Sequence, residues 1–257
     1  MRSAGELVHL EVTDQVATIT LDSPSNRNAL SARLVNELSE RLCAAATSGD
    51  VHVIVLTHTG TTFCAGADLA EALDVGMERG TRALLGLLRT VAELSTPVVA
   101  VVRGAVRAGG IGVVGACDLA LVSSGSTFAF TEAKLGLTPA IISLTTRSRL
   151  TDRDAARKYL TGTAFDGTEA ARSGLVSQAL PDAELDEALG ALLVELKAVP
   201  LQGLAETKRL LNAPLLDNLT AEGEALVELS ARLFASEVAR DSMAAFRDQR
   251  TRRQDQA

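Results

Sequence analysis

Hydrophobic and polar positions alternate from the start of the chain. Residues 7–12 (LVHLEV) and 16–21 (VATITL) carry apolar side chains at every second position around a polar Thr13-Asp14-Gln15. The pattern predicts two strands joined by a tight turn. Pro24-Ser25-Asn26 reads as a loop. The period then changes: over 31–47, Leu34, Leu38 and Leu42 share one face of a predicted helix that stops at Gly49-Asp50. Residues 51–57 (VHVIVLT) and 98–102 (VVAVV) are nearly unbroken apolar runs, the pattern of strands covered on both faces. Between them lie a glycine-bearing stretch, THTGTTFCAGADL, and a predicted helix over 81–95 halted by Thr96-Pro97. A second glycine loop, a helix from about Gly109, and strands at 119–122 and 127–130 follow.

Beyond residue 140 strand signals nearly vanish. Leu185, Leu189, Leu192, Leu193 and Leu196 mark one helix, Leu204, Lys208 and Leu211 a second, and Ala225, Leu226, Leu229, Leu233 and Phe234 a third. Strands alternating with helices predict an α/β core with a mostly parallel sheet, followed by a helical region. The polar residues 250–257 are expected to fray.

Composition narrows the function classes. The 257 residues hold 47% hydrophobic and 22% charged side chains, enough for an ordinary core. The net charge of −7 and an aromatic content of 3% argue against a nucleic-acid partner, which needs cations and stacking surfaces. Cys43, Cys64 and Cys117 match no zinc or CxxC spacing and read as small core residues in a reducing compartment. His9, His52 and His58 read as structural, so no metal is expected. The first residues lack the apolar run of a secretory leader, and nothing is apolar for long enough to cross a membrane. A cytoplasmic protein is the expectation.

The candidate chemistry lies in two junctions, Phe63–Leu69 and Gly104–Gly112, each placed just after a strand. In a parallel sheet, loops beyond the carboxyl ends of strands are where ligands bind. Small residues let a ligand approach backbone N–H groups, and a helix starting near Gly109 has free N–H groups at its first turn. Two such donors could hold a developing oxyanion. GxxxxGK[ST], GxGxxG and GxSxG are absent, which counts against nucleotide-binding and α/β-hydrolase sites.

These blocks resemble the enoyl-CoA hydratase/isomerase family, the crotonase fold. The resemblance rests on Asn28-Ala29-Leu30 before a helix, on F-C-A-G-A-D-L at 63–69, and on the Gly104–Gly112 loop ending in Ala116-Cys117-Asp118. It rests also on F-x-x-x-E-x-x-L-G-L-x-P from Phe128 to Pro139, on Leu160-Thr161-Gly162 and on Ala245-Phe246. It spans about residues 7–250. It implies a ββα spiral core over 1–195 and a C-terminal helical trimerisation region over 196–257. The expected assembly is a homotrimer or a dimer of trimers. It implies an acyl-CoA substrate that brings its own CoA, with no separate cofactor. The oxyanion donors carry over to the N–H groups of Ala67 and Gly109, and the acid/base carboxylate to Glu132. The CoA would lie along Arg27, Ala29, Ala65, Asp68 and Leu69, with Phe246 meeting its adenine across a subunit boundary. The lysine that often follows that aromatic is Gln249 here, next to Arg250.

One departure stands out. Hydratases of the family carry a further glutamate in G-G-G-C-E, and the corresponding residues here are Ala108-Gly109-Gly110-Ile111-Gly112. Water addition shares its proton transfers between two carboxylates, whereas double-bond migration needs one. The leading expectation is an enoyl-CoA hydratase-type enzyme working through an oxyanion-stabilised enolate in fatty-acid or branched acyl-CoA metabolism. A single-glutamate double-bond isomerase and a catalytically weak acyl-CoA-binding protein stand beside it. Glu71, Asp74 or Glu78 could supply a second carboxylate, and Arg107 could order an acid-bearing substrate. Arg247, Arg250, Arg252 and Arg253 form a small basic tail, the one feature that suits RNA. Ala140, Ile141 and Ile142 fit an aliphatic acyl group.

Overall fold

The structure, a computed structural model, describes residues 5–254, and of 73–75 and 246–254 the backbone path only. β1 (Val8–Thr13) and β2 (Val16–Leu21) form the expected hairpin. β2 continues in parallel with β3 (Val53–His58), followed in the same sheet by β5 (Val98–Val102), β7 (Leu119–Ser123) and β10 (Gln178–Leu180). A second sheet holds β4 (Thr62–Cys64), β6 (Ala105–Arg107), β8 (Thr127–Ala129) and β9 (Phe165–Asp166). Three successive turns of chain each give a strand to the large sheet, a short strand to the small one, and then helix. The helices are α2 (Leu69–Val75) with α3 (Met77–Glu93), then α4 (Gly109–Ala116), then α5 (Ala140–Thr146). This is the spiral expected of the fold.

The apolar runs of β3 and β5 are explained by two covers. Ile54, Leu56, Val98, Ala100 and Val102 face the main core, which holds Leu34, Leu38 and Leu42 of α1 (Ala32–Thr47). Val53, Val55, Val99 and Val101 face the other way, against α8 (Leu185–Lys197). A strand covered on both faces has no polar side to alternate with. α6 (Asp152–Thr161) and α7 (Gly167–Arg172) precede α8, and α9 (Leu201–Phe234) packs across α3 and α5. α10 (Glu237–Gln254) lies on the turn that carries Glu132.

Several expectations need correction. The second and third helices beyond 200 are one 34-residue helix, α9, which runs through Pro214. Packing on α3 and α5 holds the turn that a proline interior to a helix would otherwise weaken. Leu211, expected on its inner face, is exposed, and Leu215, Leu219 and Val227 take that place. Strands persist beyond 140 as β9 and β10, too short for any periodicity. The helix expected over 81–95 starts at Met77, and the strand expected from 51 starts at Val53. Cys64 and Cys117 are buried, but Cys43 is exposed on α1. Backbone helix reaches Gln254 where fraying was expected. The expected domain boundary at 195/196 falls in the last turn of α8.

Candidate active site

The glycine loops do not follow β3 and β5 directly. Each follows a short strand of the second sheet, β4 or β6, and these two strands pair in parallel (Thr62 with Ala105, Cys64 with Val106). Neighbouring parallel strands end side by side, so the loops that leave them meet. At Gly66 φ is +92°, and a Cβ there would fall 3.0 Å from Cβ of Ala108. Ala108 itself has φ +44° and ψ −119°, a strained conformation for a residue with a side chain. It turns the chain into α4, so that the Gly109 N–H is the first of the helix. Neither the Ala67 N–H nor the Gly109 N–H donates to any described residue.

The Asn28 block builds the facing wall. Asn28 is fully buried with φ +52°, which asparagine tolerates. Its Oδ1 accepts from Ser23 N (2.7 Å), and its Nδ2 donates to the carbonyls of Thr62 (2.8 Å) and Thr59 (3.3 Å). Leu30 N donates to Gly66 O and Ala65 N to Arg27 O, which locks this wall to the first glycine loop. Asp68 caps α2, accepting from Ala70 N and Glu71 N.

A cavity of about 600 Å³ opens between these walls. Arg27, Ala29, Ala65, Ala67, Asp68, Leu69, Gly109 and Glu132 all line it. The side chains of Phe246, of Asp74 and of the basic tail lie outside the described residues. Arg27 and Arg79 are exposed at the rim, and Arg107 is partly buried. Leu233 and Phe234 of α9 close the far side. The sequence showed these two only as a helical stripe, because the residues they face across the cavity, such as Leu135 and Leu137, are more than ninety residues away. Among the described residues no three His, Cys, Asp or Glu side chains come together as a metal site requires.

Glu132 begins a 3-10 turn after β8. Its Oε2 is buried and has no hydrogen-bond partner among the described residues. Burial pushes its carboxyl up to about 7, opposed only by its own backbone amide. A carboxyl poised there exchanges protons near neutrality, as a general acid/base must.

Gly112 lies inside α4, where a Cβ would fall 2.5 Å from Cγ2 and 2.9 Å from Cβ of Ile142 on α5. The isoleucine fills the room that a side chain at 112 would need. Two of the three substitutes considered for a second carboxylate, Glu71 and Glu78, already have partners. Glu71 Oε2 accepts from Ala32 N at the start of α1 (2.9 Å), and Glu78 pairs with Arg82 (3.1 Å).

The sequence pattern of the enoyl-CoA hydratase/isomerase family matches residues 11–256. A crystal structure of an enoyl-CoA hydratase from Mycobacterium avium superimposes with a TM-score of 0.90 at 45% identity, covering 96% of this chain and 98% of that one. The 4-chlorobenzoyl coenzyme A dehalogenase-2 of an Arthrobacter species is 31% identical over 211 residues, 78% of this chain and 76% of its own. The hydroxycinnamoyl-CoA hydratase-lyase of Pseudomonas fluorescens is 32% identical over 192 residues, 70% of this chain and 68% of its own. With a crotonase-type spiral, two facing glycine loops and the match along nearly its whole length, this chain belongs to the enoyl-CoA hydratase/isomerase family.

Proposed function

We propose that the cavity binds an enoyl-CoA thioester and that Glu132 is the single carboxylate that moves protons on it. The thioester oxygen lies against the N–H groups of Ala67 and Gly109. The CoA runs along Arg27, Ala29, Ala65, Asp68 and Leu69 toward α10, where Phe246 lies. Of the reactions open to such a site, migration of a double bond from C3 to C2 has the strongest support. The Glu132 carboxylate takes a proton from C2 of a 3-enoyl-CoA. The electron pair moves onto the thioester oxygen, giving a dienolate whose charge the two amides stabilise. Glu132 then returns the proton to C4, leaving the double bond between C2 and C3. One observation carries this reading: Ile142 occupies the space beside Gly112, so the second carboxylate that water addition calls for has no room there.

Hydration is the second reading, favoured by the 45% identity to a protein named enoyl-CoA hydratase. A paired assay separates the two. Purified protein is offered 3-hexenoyl-CoA, followed by appearance of the conjugated product, and crotonyl-CoA, followed by loss of enoyl absorbance. Isomerisation at least about 10²-fold faster than hydration is expected, since a missing acid/base group costs about 10²–10⁴ in rate. Hydration at a comparable rate overturns the isomerase reading. In the same proposal the CoA arrives with the substrate, no metal or redox cofactor takes part, and the protein works in the cytoplasm as a homotrimer or dimer of trimers.

A further inference from the structure

The wall that α3 gives to the cavity carries a gap. Met77, Gly80, Thr81 and Leu84 line the cavity at i, i+3, i+4 and i+7, which puts them on one face of the helix. Leu84 marks the inner end of that face. Its Cδ2 lies 3.3 Å from where a Cβ on Gly109 would stand, so it flanks the loop that carries the Gly109 amide. Gly80 sits one turn, about 6 Å, further out and is exposed. Nothing in the fold calls for glycine there. Its φ is not positive, and a Cβ would meet no atom within 4 Å. Gly110 and Gly112 differ: a Cβ would fall 2.6 Å from Cys64 at the first and 2.5 Å from Ile142 at the second.

Inside a helix glycine is weaker than alanine, because it gives up more backbone freedom on folding. At position 80 neither strain nor crowding requires it, and its effect is a notch in the stripe between Met77 and Leu84. Leu137, Pro139, Ile141, Leu233 and Phe234 give the cavity further apolar wall. The carboxylates of the cavity leave the notch free: Asp68 caps α2, Glu71 accepts from Ala32 N, and Glu132 Oε2 is buried on the turn after β8. Arg79, next to Gly80, is exposed at the rim. We propose that the acyl chain passes from the Gly109 amide along Leu84 and out over Gly80, so that the site selects thioesters of medium and longer straight-chain acids over short ones. An open notch sets no end to the chain, whereas a side chain at 80 would. The inference rests on the reading of the cavity as an acyl-CoA site and adds the length of the acyl group to it.

Equilibrium binding tests it without turnover. Butyryl- and octanoyl-CoA are titrated calorimetrically into the wild-type protein, Gly80→Leu, Gly80→Ala and Gly86→Leu. Gly86 is the control: it is exposed on the same helix, a Cβ there also meets nothing, and it lies outside the cavity lining. Octanoyl-CoA is expected to bind wild type at least about tenfold more tightly than butyryl-CoA, as four methylenes half buried along the notch would give. In Gly80→Leu that ratio falls at least about fivefold, in Gly80→Ala about twofold, and in Gly86→Leu it stays at the wild-type value. Gly80→Ala is also expected to melt about 2–4 °C above wild type. The binding readout is a ratio on one protein, so a partial loss of fold cancels. If the leucine variant does not fold, the alanine variant carries the test. Butyryl-CoA binding to wild type with octanoyl-CoA no tighter overturns the inference and leaves the acyl-CoA reading standing. So does a folded Gly80→Leu, or failing that Gly80→Ala, that keeps the wild-type ratio, and so does an equal fall in Gly86→Leu. A Gly80→Ala that melts below wild type or does not fold shows that the fold needs this glycine, and overturns the inference as well. Binding of neither thioester overturns both readings. The expected ratios without isomerase or hydratase turnover support the notch and overturn the proposed reaction.

Discussion

Burying a carboxylate without a partner costs stability, and Glu132 is buried in that way. Its carboxyl is raised from the ordinary 4.5 to about 7. As pH rises, the unfolded chain gives up this proton first, so folding stability falls between about 4.5 and 7 and stays reduced above. At about 1.4 kcal/mol per pH unit, the loss reaches about 3 kcal/mol. Glu132→Gln is therefore expected to melt at a higher temperature than wild type at pH 8, with the difference gone by pH 4.5. Turnover of the same variant is expected to drop at least about 10²-fold. A variant with full activity contradicts the role given to Glu132. In wild type the base must be ionised, so kcat/KM is expected to rise with pH through about 7 and then level. A profile flat from pH 5.5 to 8.5 contradicts it as well. That Glu132 was the residue to watch was legible from its motif. That its carboxyl lacks a partner was not, because the turn that carries it is covered by α6 and α10, which lie further along the chain.

At the scale of elements, the contact of α4 with α5 sets how many carboxylates the site can hold. Gly112 and Ile142 are thirty residues apart, and their mutual fit is invisible until the helices pack. Gly112→Glu alone overpacks this contact and is expected to cost about 1–3 kcal/mol, read as a lowered midpoint in urea. Adding Ile142→Ala restores room. The double variant is expected to recover stability and to hydrate crotonyl-CoA at least about tenfold faster than wild type. Recovered stability without gained hydration shows that space beside Gly112 is not what limits water addition. The same scale explains the missed strands. β4 and β6 are three residues each, below the length at which alternation can be read, yet their pairing is what brings the Ala67 and Gly109 amides together.

Over the whole molecule, α9 ties the spiral together through a polar knot under its apolar stripe. Lys208 is 3% exposed, and its Nζ lies 2.8 Å from Asp118 Oδ2, 2.9 Å from Val91 O and 3.0 Å from Thr96 O. Asn212 donates to Asp118 Oδ1 and Ala92 O, and Asp118 Oδ2 accepts from Val98 N. One side chain thus joins the end of α3, the start of β5, the start of β7 and α9. Lys208→Ala leaves a carboxylate and two carbonyls without their cation. A loss of about 3–5 kcal/mol is expected. A melting temperature within a degree or two of wild type contradicts this account. From the sequence, Lys208 read as one mark of a helical face, and Asp118 as the end of a motif.

The chain's own order of residues determined what is local or repeated in kind. Apolar runs covered on both sides became β3 and β5, the 3.6-residue stripe became α1, and the motif blocks named the cavity residues Arg27, Ala67, Gly109 and Glu132. These depend on near neighbours and on residue type, which sequence records directly. Tertiary structure alone decided which groups are desolvated, which hydrogen bonds stay open and which volumes are taken. The unpartnered Oε2 of Glu132 and the Ile142 side chain beside Gly112 are both of that kind. Each depends on the approach of segments far apart along the chain, and only packing sets that distance.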